Sequence, residues 1–126
     1  MDYSKLSDFE INRAVAIAIG FNPDDCDIAK RGSPSVGVEW NEDTGYAIRA
    51  FDYCNNPADA WPIIEANNIA VIPYRHTLPQ AWPTAFGVTS RFTTEDEKPL
   101  RAAMIVILKL QESANVPVNS TGSDLR

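Results

Sequence analysis

The sequence has few of the residues on which most chemically active sites are built. It contains one histidine and two cysteines, and Cys26 and Cys54 stand alone, without the close spacing of metal ligands. It also has no glycine-rich loop of the kind that binds phosphate. We therefore expect no metal and no cofactor, and we expect both cysteines to be free thiols in a reducing compartment.

Positive charge is also scarce. The 126 residues include 11 lysines and arginines against 17 aspartates and glutamates, which gives a net charge of −6. Proteins that bind nucleic acid or anionic membranes present clustered basic residues, so we expect neither partner. The longest apolar run, from Ala102 to Leu108, is far too short to cross a bilayer. The N-terminus lacks the basic and apolar regions of a signal peptide, so we expect no secretion.

The segment from Pro99 to Glu112 dominates what is present. Its charged residues and the one just before it share a narrow sector of a helical wheel: Lys98, Arg101, Lys109 and Glu112. Apolar residues fill most of the remaining arc, and so wide an apolar arc is typical of a helix covered on more than one side. We predict a central core helix here.

Another helix is predicted over residues 7–19. Ser7 and Glu10 have the spacing of a capping box, in which each side chain pairs with the other residue's backbone amide. Apolar residues then recur at helical spacing, and Gly20 stands where a glycine commonly ends a helix. Residues 22–35, rich in Asp, Pro, Gly and Ser, are predicted to be a loop.

A β-hairpin is predicted from residues 36–41 and 45–51, because apolar residues alternate in both segments and turn-forming residues separate them. The alternation runs through Val36, Val38 and Trp40, and then through Tyr46, Ile48 and Ala50.

Residues 52–58 are predicted to connect the hairpin to the next helix. Asp59 is the expected N-cap, which places Pro62 in the first turn, where a missing amide donor costs little. The helix is expected to end near Asn67, with Asn68 in the left-handed conformation that commonly follows a helix. Its apolar face would contain Trp61, Ile63 and Ile64.

The remaining elements are shorter. Ile69–Pro73 is predicted to be a strand, residues 74–81 a loop holding His76, and Trp82–Phe92 a further strand, with Pro83 suggesting an edge position or strand start. Residues 93–98 form a polar link. The order α-ββ-α-ββ-α predicts an α+β fold, with an antiparallel sheet packed on helices. We expect one small domain over residues 1–112 and a polar tail over residues 113–126.

Four stretches carry a family resemblance, and they keep their order and spacing. They are MDYSKLSDFEINRAVA, FDYCNNPADAWPIIEANNI, PLRAAMIVILKLQES and NVPVN. On these stretches the chain resembles the NinX-like family of small lambdoid bacteriophage proteins. A strand bearing a tryptophan is a further similar feature, matched here by Trp82, although Pro83 departs from the family's usual pattern. The resemblance implies a phage protein made in the cytoplasm of the bacterial host, and it carries over no active-site residue.

One short segment is the densest concentration of recognition chemistry. Its candidate binding residues are Tyr53, Asn55, Asn56, Asp59 and Trp61. They would form a binding surface on a loop held by rigid elements. The alternative is turn and cap chemistry with a core tryptophan. We favour the structural role for Asp59 and Trp61, and both interpretations stay open for the other three. Trp40 and Trp82 are likewise expected in the core.

A catalytic alternative uses Cys54 and His76. Cys54 would follow a strand and precede a helix N-terminus, a location that can lower a thiol pKa. His76 follows the next strand and is the available base. No nucleophile motif surrounds Cys54, so the competing interpretation is a partly buried cysteine and an exposed loop histidine.

We therefore expect a non-enzymatic phage accessory protein that binds a host or phage protein, or pairs with itself as a homodimer. The alternative is a small cytosolic enzyme using Cys54 with His76. Nucleic-acid mimicry by the acidic surface ranks last.

Overall fold

The computed structural model describes residues 1–113, so the predicted tail lies outside the described residues apart from Ser113. Three α-helices are present, α1 (Asp8–Ala18), α2 (Pro57–Ala66) and α3 (Pro99–Glu112). Six strands are present within the same residues: β1 (Asp27–Ile28), β2 (Val36–Trp40), β3 (Ala47–Phe51), β4 (Ile69–Ile72), β5 (Gln80–Pro83) and β6 (Thr94–Glu95). The strands form two antiparallel sheets, ordered β1-β2-β3 and β4-β5-β6.

The α+β class and the alternation of helices with hairpins are confirmed, but the strands form two antiparallel sheets where we expected one. Each hairpin gains one two-residue strand that the sequence did not predict. Strand β1 lies within residues 22–35, which were predicted to be a loop, and β6 lies in the predicted polar link. A two-residue strand is too short to show alternation, so only its pairing partner reveals it.

Helix α3 is the core helix, as predicted. Nine of its residues are buried, and α1, α2 and all three strands of the second sheet contact it. Pro99 occupies the first turn. One expectation for α3 was wrong: Arg101, assigned to a polar sector, is buried with the core.

Helix α1 has the predicted capping box. The Glu10 amide donates to Ser7 Oγ (3.1 Å), and the Ser7 amide donates to Glu10 Oε1 (3.0 Å). Gly20, with φ +119°, follows the last turn, and the Phe21 amide donates back to the Ala16 carbonyl (3.0 Å). Since α1 contacts both α3 and β2, it joins the first sheet to the helices.

The predicted start of α2 was wrong. Asn56, not Asp59, is the N-cap, and its Oδ1 accepts a hydrogen bond from the Ala58 amide (3.0 Å). Pro57 begins the helix, and Pro62 lies inside it, where it has no amide to donate. Two prolines five residues apart each fit a helix start, and the sequence analysis chose the later one. Asn68, with φ +53°, ends the helix as predicted.

The first hairpin is confirmed, but its alternating apolar residues do not all lie on one buried face. Register shifts interrupt the pairing on either side of Glu39. Trp40 consequently lies over Gly37 rather than beside Val36: a Cβ built on Gly37 would be 2.6 Å from Trp40 Cζ2. The alternating residues of β3 and the turn before it face solvent, with Tyr46 74% exposed.

The strand predicted over residues 82–92 is only four residues long and begins at Gln80, inside the segment 74–81 that was predicted to be a loop. Strand β5 ends at Pro83, and residues 84–93 form turns. Pro83 is therefore the last residue of a central strand, not a strand start or an edge residue. The Thr84 amide, in the turn that follows, still donates to the carbonyl of Asn68, just before β4 (2.9 Å).

Candidate functional site

The N-terminal ends of all three helices meet at the carboxylate of Asp8. This residue begins α1, and its Oδ2 accepts from Lys98 Nζ (2.6 Å), just before α3, and from Asn55 Nδ2 (3.1 Å), just before α2. Its Oδ1 accepts from Arg101 NH1 (2.8 Å). A carboxylate is stabilised at a helix N-terminus by the unpaired amides and the helix dipole.

These contacts change the acidity of Asp8. Partial burial alone would raise its pKa, but hydrogen bonds from Lys98, Asn55 and Arg101 outweigh that effect, and the pKa lies below its usual range. In return, the hydrogen bond to Asp8 raises the pKa of Lys98. Asp8 is thus an ionised internal anion that joins the three helices.

Arg101 is the buried cation of this cluster. Its Nε donates to Asp96 Oδ1 (3.1 Å), and NH1 donates to Asp8. NH2 points at the carbonyls before α1, with the shortest distance, 2.7 Å, to the carbonyl of Leu6. A guanidinium can satisfy several acceptors at once, which makes a buried arginine tolerable here.

Asn12 fixes the segment that precedes α2. It is fully buried, and its Nδ2 donates to Asp52 Oδ1 (2.9 Å) and to the Pro34 carbonyl (3.0 Å). Its Oδ1 accepts from the Cys54 amide (3.0 Å). The side-chain Nδ2 of Asn55 also donates to both carboxylate oxygens of Asp52. The candidate segment is therefore held rigidly against α1.

The five candidate binding residues occupy different environments. Tyr53 is 2% exposed and stacks on Phe51, with ring centroids 5.4 Å apart, and its hydroxyl has no partner among residues 1–113. Asn55 and Asn56 are exposed. The Asn55 side chain donates a hydrogen bond to Asp8, and the Asn56 side chain caps α2. Asp59 is half-buried and accepts from the Asp52 amide (2.8 Å).

Trp61 lies on the opposite side of α2 from the core. We expected it to be buried, and that interpretation was wrong, since the residue is 58% exposed. The buried face of α2 consists of Ala60, Ile63 and Ile64, which follow the spacing i, i+3, i+4 and leave Trp61 outside. Trp40 and Trp82 are half-buried.

The two catalytic candidates, Cys54 and His76, lie in different environments, one buried and one exposed. Cys54 is 1% exposed, its Sγ is 3.8 Å from the Asp8 carbonyl, and burial raises its pKa to about 12. The thiol is therefore protonated at neutral pH. His76 lies on the exposed loop between β4 and β5. Within the part of the chain that the structure describes, no hydrogen bond joins the two side chains, and no group of acidic, Cys and His side chains could hold a metal ion.

Asp8, Asn12 and Arg101 are the residues that sequence reasoning missed. Arg101, set among the apolar residues of the first two turns of α3, was the available signal, because a buried arginine needs a carboxylate partner. One partner, Asp96, is five residues before Arg101, but Asp8 is 93 residues away, so spacing does not reveal the contact between helices.

The fold and the polar cluster define a small α+β protein whose helices are joined at their N-terminal ends by an ion-pair network, and whose helix α2 presents an exposed tryptophan. A family model described as "Bacteriophage P22, NinX" matches residues 2–111. The chain therefore belongs to the NinX family of bacteriophage proteins, as the resemblance implied. No curated protein and no solved structure matches the chain. None of the helices in residues 1–113 has the length and apolar character needed to span a membrane.

Proposed function

We propose that this chain is a non-enzymatic phage accessory protein, acting in the host cytoplasm by binding a host or phage protein. The observation that carries the proposal is the exposure of Trp61, which is 58% accessible on the outward face of α2. Tryptophan buries a large area when it docks and is enriched among the residues that dominate binding energy.

The surroundings of Trp61 also support a binding role. The polar network fixes the segment before α2, so the tryptophan sits on a preformed element. A preformed element loses little conformational entropy when it binds, which leaves more of the contact energy as affinity. Partner contact then depends on α2 and its N-terminal segment.

The enzyme alternative receives no such support. A catalytic cysteine needs a thiolate in an accessible, electropositive location. Cys54 is buried, and its pKa is raised because burial disfavours the charged form. We therefore assign Cys54 to the core rather than to a reaction.

The test is recovery of the tagged protein from infected host lysate, with identification of co-purifying proteins by mass spectrometry. We expect one partner, recovered in proportion to the tagged chain and retained at moderate salt. Cys54→Ala serves as the control and should recover the same partner, because Cys54 faces the core. Recovery of no partner would contradict the proposal, and loss of the biological effect in a folded Cys54→Ala protein would favour the enzyme.

A further inference from the structure

The outward face of α2 is apolar, which is unusual for a surface helix. At helical spacing it presents Ala58, Trp61, Pro62 and Glu65, all exposed, with Pro57 one turn before Trp61. Surface helices normally bury their apolar stripe and turn polar residues outward. Here the inward face of α2 is apolar as well, so the helix has a second apolar face without a partner in residues 1–113.

The segment that carries this face has acidic residues and no basic ones. Residues 50–74 contain no lysine or arginine, and their ionisable acids are Asp52, Asp59 and Glu65. Glu65 is exposed at the end of the apolar row, and Asp59 is half-buried at its side. The helix therefore presents apolar anchors next to negative charge.

We infer that α2 docks through Ala58, Trp61 and Pro62 into an apolar groove on a partner protein whose rim is basic. The inference rests on the proposed function and names the chemistry of the partner. Recognition of a helix by a groove uses anchors at helical spacing, and Ala58, Trp61 and Pro62 lie at positions i, i+3 and i+4. A basic rim complements the acidic residues beside the anchors.

Charge complementarity separates this occupant from a second copy of the chain. Two copies would bring Glu65 and Asp59 of each chain toward the same acids of the other, and each copy has a net charge of −6. Like charges across an interface oppose association. A partner with lysine or arginine around an apolar groove meets the same surface favourably.

Two exposed alanines, Ala58 and Ala50, allow a matched test by site-specific crosslinking in infected cells. A photoreactive benzophenone amino acid replaces Ala58, beside Trp61 on α2, or Ala50, on the exposed face of β3. We expect one crosslinked protein from position 58 and none from position 50. The crosslinked peptide of the partner should be apolar and flanked by lysine or arginine. Trp61→Ala should abolish the adduct without changing the thermal unfolding midpoint.

A charge reversal tests the rim. Glu65→Lys should lower the adduct yield from position 58 by roughly fivefold, because it places a positive charge against a basic rim. Glu42→Lys makes the same change in net charge in the turn between β2 and β3 and should leave the yield unaltered.

The outcomes separate the two proposals. Crosslinking from position 50 but not position 58 would overturn the α2 docking face and leave the protein-binding function standing. An adduct with a second copy, or one indifferent to Glu65→Lys, would overturn the basic partner. No adduct at either position, together with no recovered partner, would contradict both proposals.

Discussion

Arg101 should be the most costly single residue to remove from the polar cluster. Its side chain is 8% exposed and bonds two carboxylates, Asp8 and Asp96, which are themselves largely buried. In Arg101→Met a side chain of similar length fills the space, but both carboxylates lose their cationic partner and the carbonyl of Leu6 loses a donor. The loss of stability in Arg101→Met therefore comes from the broken ion pairs more than from an empty cavity.

The magnitude follows from burial. Removing one partner of a buried ion pair costs about 3–5 kcal/mol, because the other charge stays behind. In the variant, Asp8 still accepts hydrogen bonds from Lys98 and Asn55, and Asp96 still accepts one from the Lys98 amide. We therefore take the lower end of this energy range. We expect Arg101→Met to lower the free energy of unfolding by about 3 kcal/mol, a large share of the roughly 5–15 kcal/mol typical of a domain.

Lys98→Met is the matched control, because Lys98 binds the same Asp8 carboxylate from the same end of α3. Its side chain is 47% exposed, so solvent screens the pair and we expect a loss below about 1 kcal/mol. Urea denaturation followed by circular dichroism measures both variants. Equal losses for Arg101→Met and Lys98→Met would refute the argument from burial, as would a loss below about 1 kcal/mol for Arg101→Met.

Three further predictions follow from single contacts. Gly37→Ala should cost about 1–3 kcal/mol, since the new Cβ would lie 2.6 Å from Trp40 Cζ2, and the indole NH resonance of Trp40 should move. Native Cys54 should resist alkylation at neutral pH and react once the protein is unfolded, because its pKa is raised to about 12; rapid native reaction would contradict its burial. Asp8 has a lowered pKa in the fold, so its contribution is complete above its unfolded pKa of about 3.9 and is lost as the pH falls through its folded pKa. The stability gap between wild type and Asp8→Asn should therefore narrow on acidification, and a gap that widens would show the opposite shift.

Local sequence signals predicted the boundaries of helices that begin or end at a capping residue, a glycine or a proline. The capping box of Ser7 and Glu10, the glycine after α1 and the proline at the start of α3 each identify a boundary within a few residues of sequence. The start of α2 was missed because Asn56 and Asp59 are both good caps before a proline, and only the tertiary contact between Asp59 and the Asp52 amide separates their roles.

Longer-range features could not be predicted in the same way. Trp40 changes face because of irregular pairing with β3, and alternation within β2 alone does not show this. The burial of Tyr53 accompanies its stacking on Phe51, and the exposure of Trp61 depends on which face of α2 meets α3. Apolar residues on both faces of α2 left that choice open.

We propose that Trp61 is the residue through which this protein binds its partner. The most direct measurement compares tagged wild-type and Trp61→Ala proteins in recovery from infected host lysate, after both are shown to unfold at the same temperature. Trp82→Ala, which removes a half-buried tryptophan from β5, controls for general loss of an indole. We predict that Trp61→Ala loses the partner and that a folded Trp82→Ala protein retains it. Equal recovery of the partner by wild type and Trp61→Ala would contradict the account.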